Sequence, residues 1–165
     1  MKKVLTYLGV FLCTGICAQY TSIPLTGFNV DGIAEGTGNN SSAVTSWYLD
    51  ASNHVMYDKA FGGANSLPAG LPNNGAIAAS NGITYQLASY TNDNVLMLGP
   101  QAPGAVMTGK LALVTPASYA SVSLLIFATE AQFSSPSYTI TFNFTDGTKV
   151  SACTYSVYDW FNGTG

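Results

Sequence analysis

The chain has 165 residues with five lysines, no arginine and eight acids, so only 8% of residues carry charge and the formal net charge is −3. Without Lys2 and Lys3, three lysines face eight acids, a net charge of −5. That balance argues against nucleic acid as a partner, because affinity for phosphate backbones rests on clustered Lys and Arg. Ser, Thr and Asn number 16, 17 and 12, and solvate the surface in place of charges.

Met1-Lys2-Lys3 is followed by an apolar run over 4–18 that ends in the small residue Ala18. A charged start, a short apolar core and a small residue before the cut define a secretory signal, so 1–18 are read as a signal peptide and 19–165 as one mature domain. The run falls short of the roughly 20 residues that span a bilayer. Ile16, before Cys17, is too large for a lipid-attachment site. Cys13 and Cys17 leave with the signal, and Cys153 alone forms no internal disulfide. The expected location is secreted or cell surface, with no transmembrane segment in the mature chain.

No stretch keeps a 3.6-residue period for three turns, whereas Gly and Pro recur between short runs rich in β-branched and aromatic residues. This is the pattern of an all-β chain. In chain order, strands are expected over 27–33, 43–50, 54–60, 84–87, 95–98, 109–114, 121–129, 137–144 and 148–156. So many strands imply two facing sheets, a β-sandwich. Residues 62–81, crowded with Asn, Gly and Pro, read as a crossing loop. Residues 111–129 approach the length of a membrane span, but Pro116 beside Thr115, Ala117 and Ser118 divides them into two strands. The second, apolar on both faces, fits a central position. No internal repeat supports a solenoid or propeller.

The last pair carries the clearest signal. Tyr138, Ile140, Phe142 and Phe144 alternate with Thr139, Thr141 and Asn143, the period of a half-buried strand. A two-residue Asp146-Gly147 turn would place Lys149 and Ser151 on the apolar face. A three-residue loop, Thr145-Asp146-Gly147 with a left-handed Gly147, instead sets Thr148, Val150 and Ala152 opposite Phe144, Phe142 and Ile140. Lys149, Ser151 and Cys153 then occupy the outer face. Residues 157–165 follow without a closing element, so the chain is expected to be truncated and to leave an unpaired edge or apolar groove beside them.

Triad or metal hydrolysis needs an imidazole beside a nucleophile or metal, and the only histidine, His54, sits in an expected strand without a second His or Cys nearby. No Gly-x-Ser-x-Gly elbow, His-Glu-x-x-His helix or phosphate-cradling glycine loop occurs. Two carboxylates would suffice for glycoside hydrolysis. However, Asp146 is a turn residue, and Asp31, Asp50, Asp58, Asp93 and Asp159 border loops, where solvated roles are commoner. The reading is therefore non-enzymatic. Calcium is the cation that sandwich loops suit best, since carboxylates, amides and carbonyls supply its oxygen ligands. Asp31 and Glu35, flanked by Gly32 and Gly36, are the metal candidates, against ordinary turn roles. For a sugar site, aromatic faces would meet pyranose rings while amides and carboxylates bind hydroxyls. Trp47, Tyr48, Tyr158, Asp159 and Trp160 have that chemistry; core packing is the competing role for each aromatic.

Several ordered blocks carry a resemblance: Thr26-Gly27-Phe28-Asn29-Val30-Asp31 with Ile33-Ala34; Leu71-Pro72-Asn73-Asn74-Gly75; Tyr85-Gln86-Leu87 with Tyr90 and Asn94-Val95-Leu96-Met97-Leu98; and Phe144-Thr145-Asp146-Gly147-Thr148 with Asp159-Trp160-Phe161. Together they resemble a sandwich domain near the N-terminus of large secreted or cell-surface bacterial proteins, often those exported by the type IX route. The resemblance implies a galactose-binding-like jelly roll, a fold often used to bind glycans without being committed to it. It implies an exported, non-catalytic carbohydrate-binding or adhesion-type accessory module, with a polysaccharide or glycan and downstream domains of a larger protein as partners. A spacer or protein-interaction sandwich without glycan binding, and a glycan-active hydrolase fragment, are the alternatives. In such proteins the Asp-Trp-Phe block is followed by further strands and domains; here Gly165 comes first.

Overall fold

The computed structural model describes residues 20–50, 54–129, 137–157 and 159–160. The expected signal peptide, the terminal 161–165 and the candidate Tyr158 lie outside the described residues. In chain order the elements are β1 (Leu25–Thr26), β2 (Ile33–Ala34), β3 (Met56–Tyr57), α1 (Lys59–Ala64), β4 (Ala76–Ala78), β5 (Thr84–Gln86), β6 (Ala112–Leu113), β7 (Ser137–Asn143) and β8 (Lys149–Ser156). Short 3-10 turns occupy Ser41–Ala43 and Pro103–Ala105. The chain is β-rich with little helix, as an all-β reading requires. Its ladders among the described residues are four two-stranded sheets, antiparallel for β1–β6, β4–β5 and β7–β8 and parallel for β2–β3.

Val30, Leu49, Met97 and Ala102 form a buried cluster, against which Met56, Val95 and Phe127 pack. Its centre is a single antiparallel bridge in which Val30 and Val95 exchange backbone hydrogen bonds of 3.1 and 3.0 Å. Next to it, Asn29 imitates a strand partner: its side-chain oxygen accepts from the Met97 N–H at 2.8 Å and its amide donates to the Met97 carbonyl at 3.0 Å. Gly32 allows the close approach of Leu49, since a Cβ there would sit 2.6 Å from Leu49 Cδ2.

Much of the expected strand content is shorter or different. Over 27–33 only Val30 and Ile33 pair, and 109–114 contracts to Ala112–Leu113. Residues 43–50 form no strand. Asn40 accepts from the Ser42 N–H and Thr45 Oγ1 donates to the Ser41 carbonyl, local bonds that compete with a ladder. After Met56–Tyr57, Asp58 accepts from the Phe61 N–H at 2.7 Å and starts a helix where strand and loop were expected. The crossing loop also contains β4, hairpinned to β5 across a turn in which Asn81 accepts from the Ile83 N–H and Gly82 has φ +81°.

Residues 121–129 are not a buried central strand. Ala128 alone bridges Asp159, and Leu125 is 55% exposed. Alternation and apolar content make a segment strand-competent, but a ladder needs a partner in register. No helix among the described residues is long and apolar enough to cross a membrane.

The β7–β8 hairpin matches its expected turn. Gly147 has φ +87° and donates to the Phe144 carbonyl at 3.0 Å, Phe144 donates to the Thr148 carbonyl at 2.9 Å, and Phe142 pairs with Val150. Farther along, a bulge corrects the register: β8 carries one extra residue, so Ile140 pairs with Cys153 in place of Ala152. Phe144 and Val150 are each 52% exposed, so the turn end of the apolar face lies open.

Candidate functional site

Asp31 stands where three segments meet. Its backbone N–H donates to Ser46 Oγ at 2.9 Å, its carbonyl accepts from the Ser46 N–H at 2.8 Å, and its carboxylate accepts from Asn94 Nδ2 at 2.7 Å. Asn94 is buried and multiply engaged. It also donates to the Tyr90 and Asn92 carbonyls, and its oxygen accepts from the Gly32 N–H at 3.1 Å. One amide side chain thus fixes the 90–94 loop against the 31–32 backbone.

Beside this junction lies an open depression of about 600 Å³ whose wall includes Phe28, Asp31, Ser46, Thr91, Asn92 and Asp93. Burial pushes the Asp31 carboxyl above its ordinary value; the Asn94 amide opposes this, the charge of Asp93 adds to it, and the Ile33 amide opposes it. Glu35 is also raised, first by burial and then by the charges of Asp31 and Asp58. Its Oε2 is buried and receives no hydrogen bond among the described residues. Of the two metal candidates, Glu35 therefore feels the charge of Asp31. Among the described residues, no three His, Cys, Asp or Glu side chains gather as they would around a metal ion.

The chain finds no match among protein-family models, curated proteins or solved structures.

The aromatic candidates are accessible. Trp47, Tyr48 and Trp160 are 41%, 43% and 44% exposed. Both indoles are tethered at the N–H: Trp47 Nε1 donates to the Gln101 carbonyl at 2.9 Å, and Trp160 Nε1 donates to Asp50 Oδ2 at 2.8 Å. Trp160 is held a second time where its backbone N–H reaches the Ala128 carbonyl at 2.9 Å. Asp159 is buried and its backbone bridges Ala128, so of the adjacent pair Trp160 is the side chain offered to solvent.

The tether joins Trp160, near the far end of the chain, to Asp50, which lies three positions after Trp47 in the sequence. Ser46, in the wall of the depression, precedes Trp47 directly. The residues missed from sequence are Phe28, Ser46, Asn92, Asp93 and Asn94. The run Asn92-Asp93-Asn94 between Tyr90 and Val95 was the available signal, because consecutive amides and a carboxylate beside an apolar stretch mark a polar loop anchored to a core.

Proposed function

We propose that this chain is an exported, non-catalytic carbohydrate-binding or adhesion-type module built on a galactose-binding-like jelly roll, in which the small sheets are parts of the two facing layers. The observation that carries this reading is the pair of tethered, two-fifths-exposed indoles, Trp47 and Trp160, with Tyr48 beside the first. Aromatic groups that are already ordered lose little conformational freedom when a sugar stacks on them, and the apolar face of a pyranose covers carbon that water solvates poorly. Asp31 and Glu35 are the place where a calcium ion would relieve like-charge repulsion in this module.

The test is a glycan array probed with the full chain, with and without calcium, followed by the same array with Trp160→Ala. Binding to a polysaccharide that the variant loses while keeping its melting transition supports the reading; an array on which nothing binds overturns it. A protein-interaction module is the second reading, favoured by the exposed apolar side chains Val122, Leu124, Leu125 and Ile126. For that reading, binding to a protein partner must weaken with Leu125→Ser while glycan arrays stay blank.

A further inference from the structure

We propose that the depression beside Asp31 is a subsite for an uncharged pyranose unit of the polysaccharide, so that the module selects neutral glycans and rejects uronic-acid and sulfated ones. The inference rests on the glycan-binding reading and adds to it a second contact region and a substrate class.

Its size comes first. At about 600 Å³ the depression lies within the roughly 300–1,000 Å³ range of small-ligand sites. It is open, so an internal unit of a chain can enter without a free end. Its lining has the two parts that sugar recognition needs. Phe28 and Leu25 contribute carbon for the C–H face of a ring, while Ser46, Thr91, Asn92 and Asp93 contribute donors and acceptors for hydroxyls.

The acceptors are not equally free. The Asp31 carboxylate already receives the Asn94 amide and is supported by the Ile33 amide. Asp93 is exposed and has no hydrogen-bond partner among the described residues, so it is the acceptor left for a pair of adjacent hydroxyls. The walls are fixed before any ligand arrives. Ser46 is bonded to the Asp31 backbone in both directions, and Asn94 ties its loop to Asp31 and Gly32, so little ordering remains to be done on binding.

Charge sets the class. Two carboxylates line the depression and lie close enough for Asp93 to disfavour ionisation of Asp31. A ligand carboxylate or sulfate in the same space adds a third negative charge, whereas a hydroxyl donates to the charge already there. Position links this subsite to the aromatic region, since Ser46 in its wall is adjacent to Trp47.

The experiment measures binding of the full chain to neutral polysaccharides (mannan, xylan, galactan, β-glucan) and to acidic ones (alginate, pectate, carrageenan) for the unaltered protein, Asp93→Ala, Asp93→Lys and Asn92→Ala. Thermal melting of each variant checks the fold. The expected result is neutral-glycan binding that weakens about tenfold in Asp93→Ala, the loss of roughly one good hydrogen bond, with a smaller loss in Asn92→Ala. Asp93→Lys is expected to gain measurable binding to acidic chains. Neutral binding that Trp160→Ala abolishes but all three loop variants leave unchanged overturns the subsite and leaves the aromatic reading standing. Preference of the unaltered protein for the acidic chains overturns the substrate class. If no polysaccharide binds, the parent reading fails and takes the subsite with it.

Discussion

Trp160 donates its indole N–H to Asp50 Oδ2 at 2.8 Å, joining residues 110 positions apart. This bond and the backbone bond from Trp160 to the Ala128 carbonyl fix the C-terminal end of the described chain to two distant segments. Trp160→Phe keeps an aromatic ring but removes the donor. Urea unfolding should show a loss of about 1 kcal/mol, the worth of a partly exposed hydrogen bond to a carboxylate, with the midpoint shifted and the slope unchanged.

Asn94→Ala should cost more, about 2–4 kcal/mol, because it strands the buried Gly32 N–H and strips Asp31 of its amide partner at once. Equilibrium denaturation measures it. Asn94→Asp should also destabilise at neutral pH, since it places a further carboxylate against Asp31.

Gly70 has φ +115°, and a Cβ there would lie 2.8 Å from the Asp58 carbonyl oxygen. Gly70→Ala is therefore strained twice, by its backbone angle and by contact with the residue that caps α1. A loss of about 2 kcal/mol or more is expected by chemical denaturation, whereas Gly63→Ala, in open space within the helix, should be neutral or mildly stabilising.

Acidification should act in opposite directions at two places. Asp31 and Glu35 are raised above their ordinary values of 3.8 and 4.5, chiefly by burial, with Asp93 acting on the first and Asp31 and Asp58 on the second. The folded chain then takes up protons before the unfolded chain does. These groups therefore add stability as pH falls through their raised native values toward the ordinary ones, and lose it as pH rises again. Asp146 is lowered by the Thr148 hydroxyl and N–H, so its contribution is present above the ordinary value of 3.8 and fades as pH falls through the lower native one. Carboxylate NMR titrations should show Asp31 and Glu35 above, and Asp146 below, their unfolded counterparts. Glu35→Gln should raise the melting temperature at neutral pH, with the gain shrinking as the medium is acidified.

The sequence by itself determined what is local. The alternation from Tyr138 to Phe144 and the Thr145-Asp146-Gly147 loop specify a hairpin whose turn end matches, because a left-handed glycine and a period-2 pattern act within a few residues of one another. The bulge that moves Ile140 onto Cys153 leaves no comparable local mark. The aromatic candidates Trp47 and Trp160 were legible by residue type, yet their tethers to Gln101 and Asp50 were not. The Asp58 cap on the Phe61 N–H is local as well, whereas tertiary structure decided that apolar 121–129 pairs almost nowhere and that Ser46, Asp93 and Asn94 gather around Asp31. Each of these last two depends on which distant partner reaches a hydrogen-bonding group first, a competition settled by the whole chain's packing.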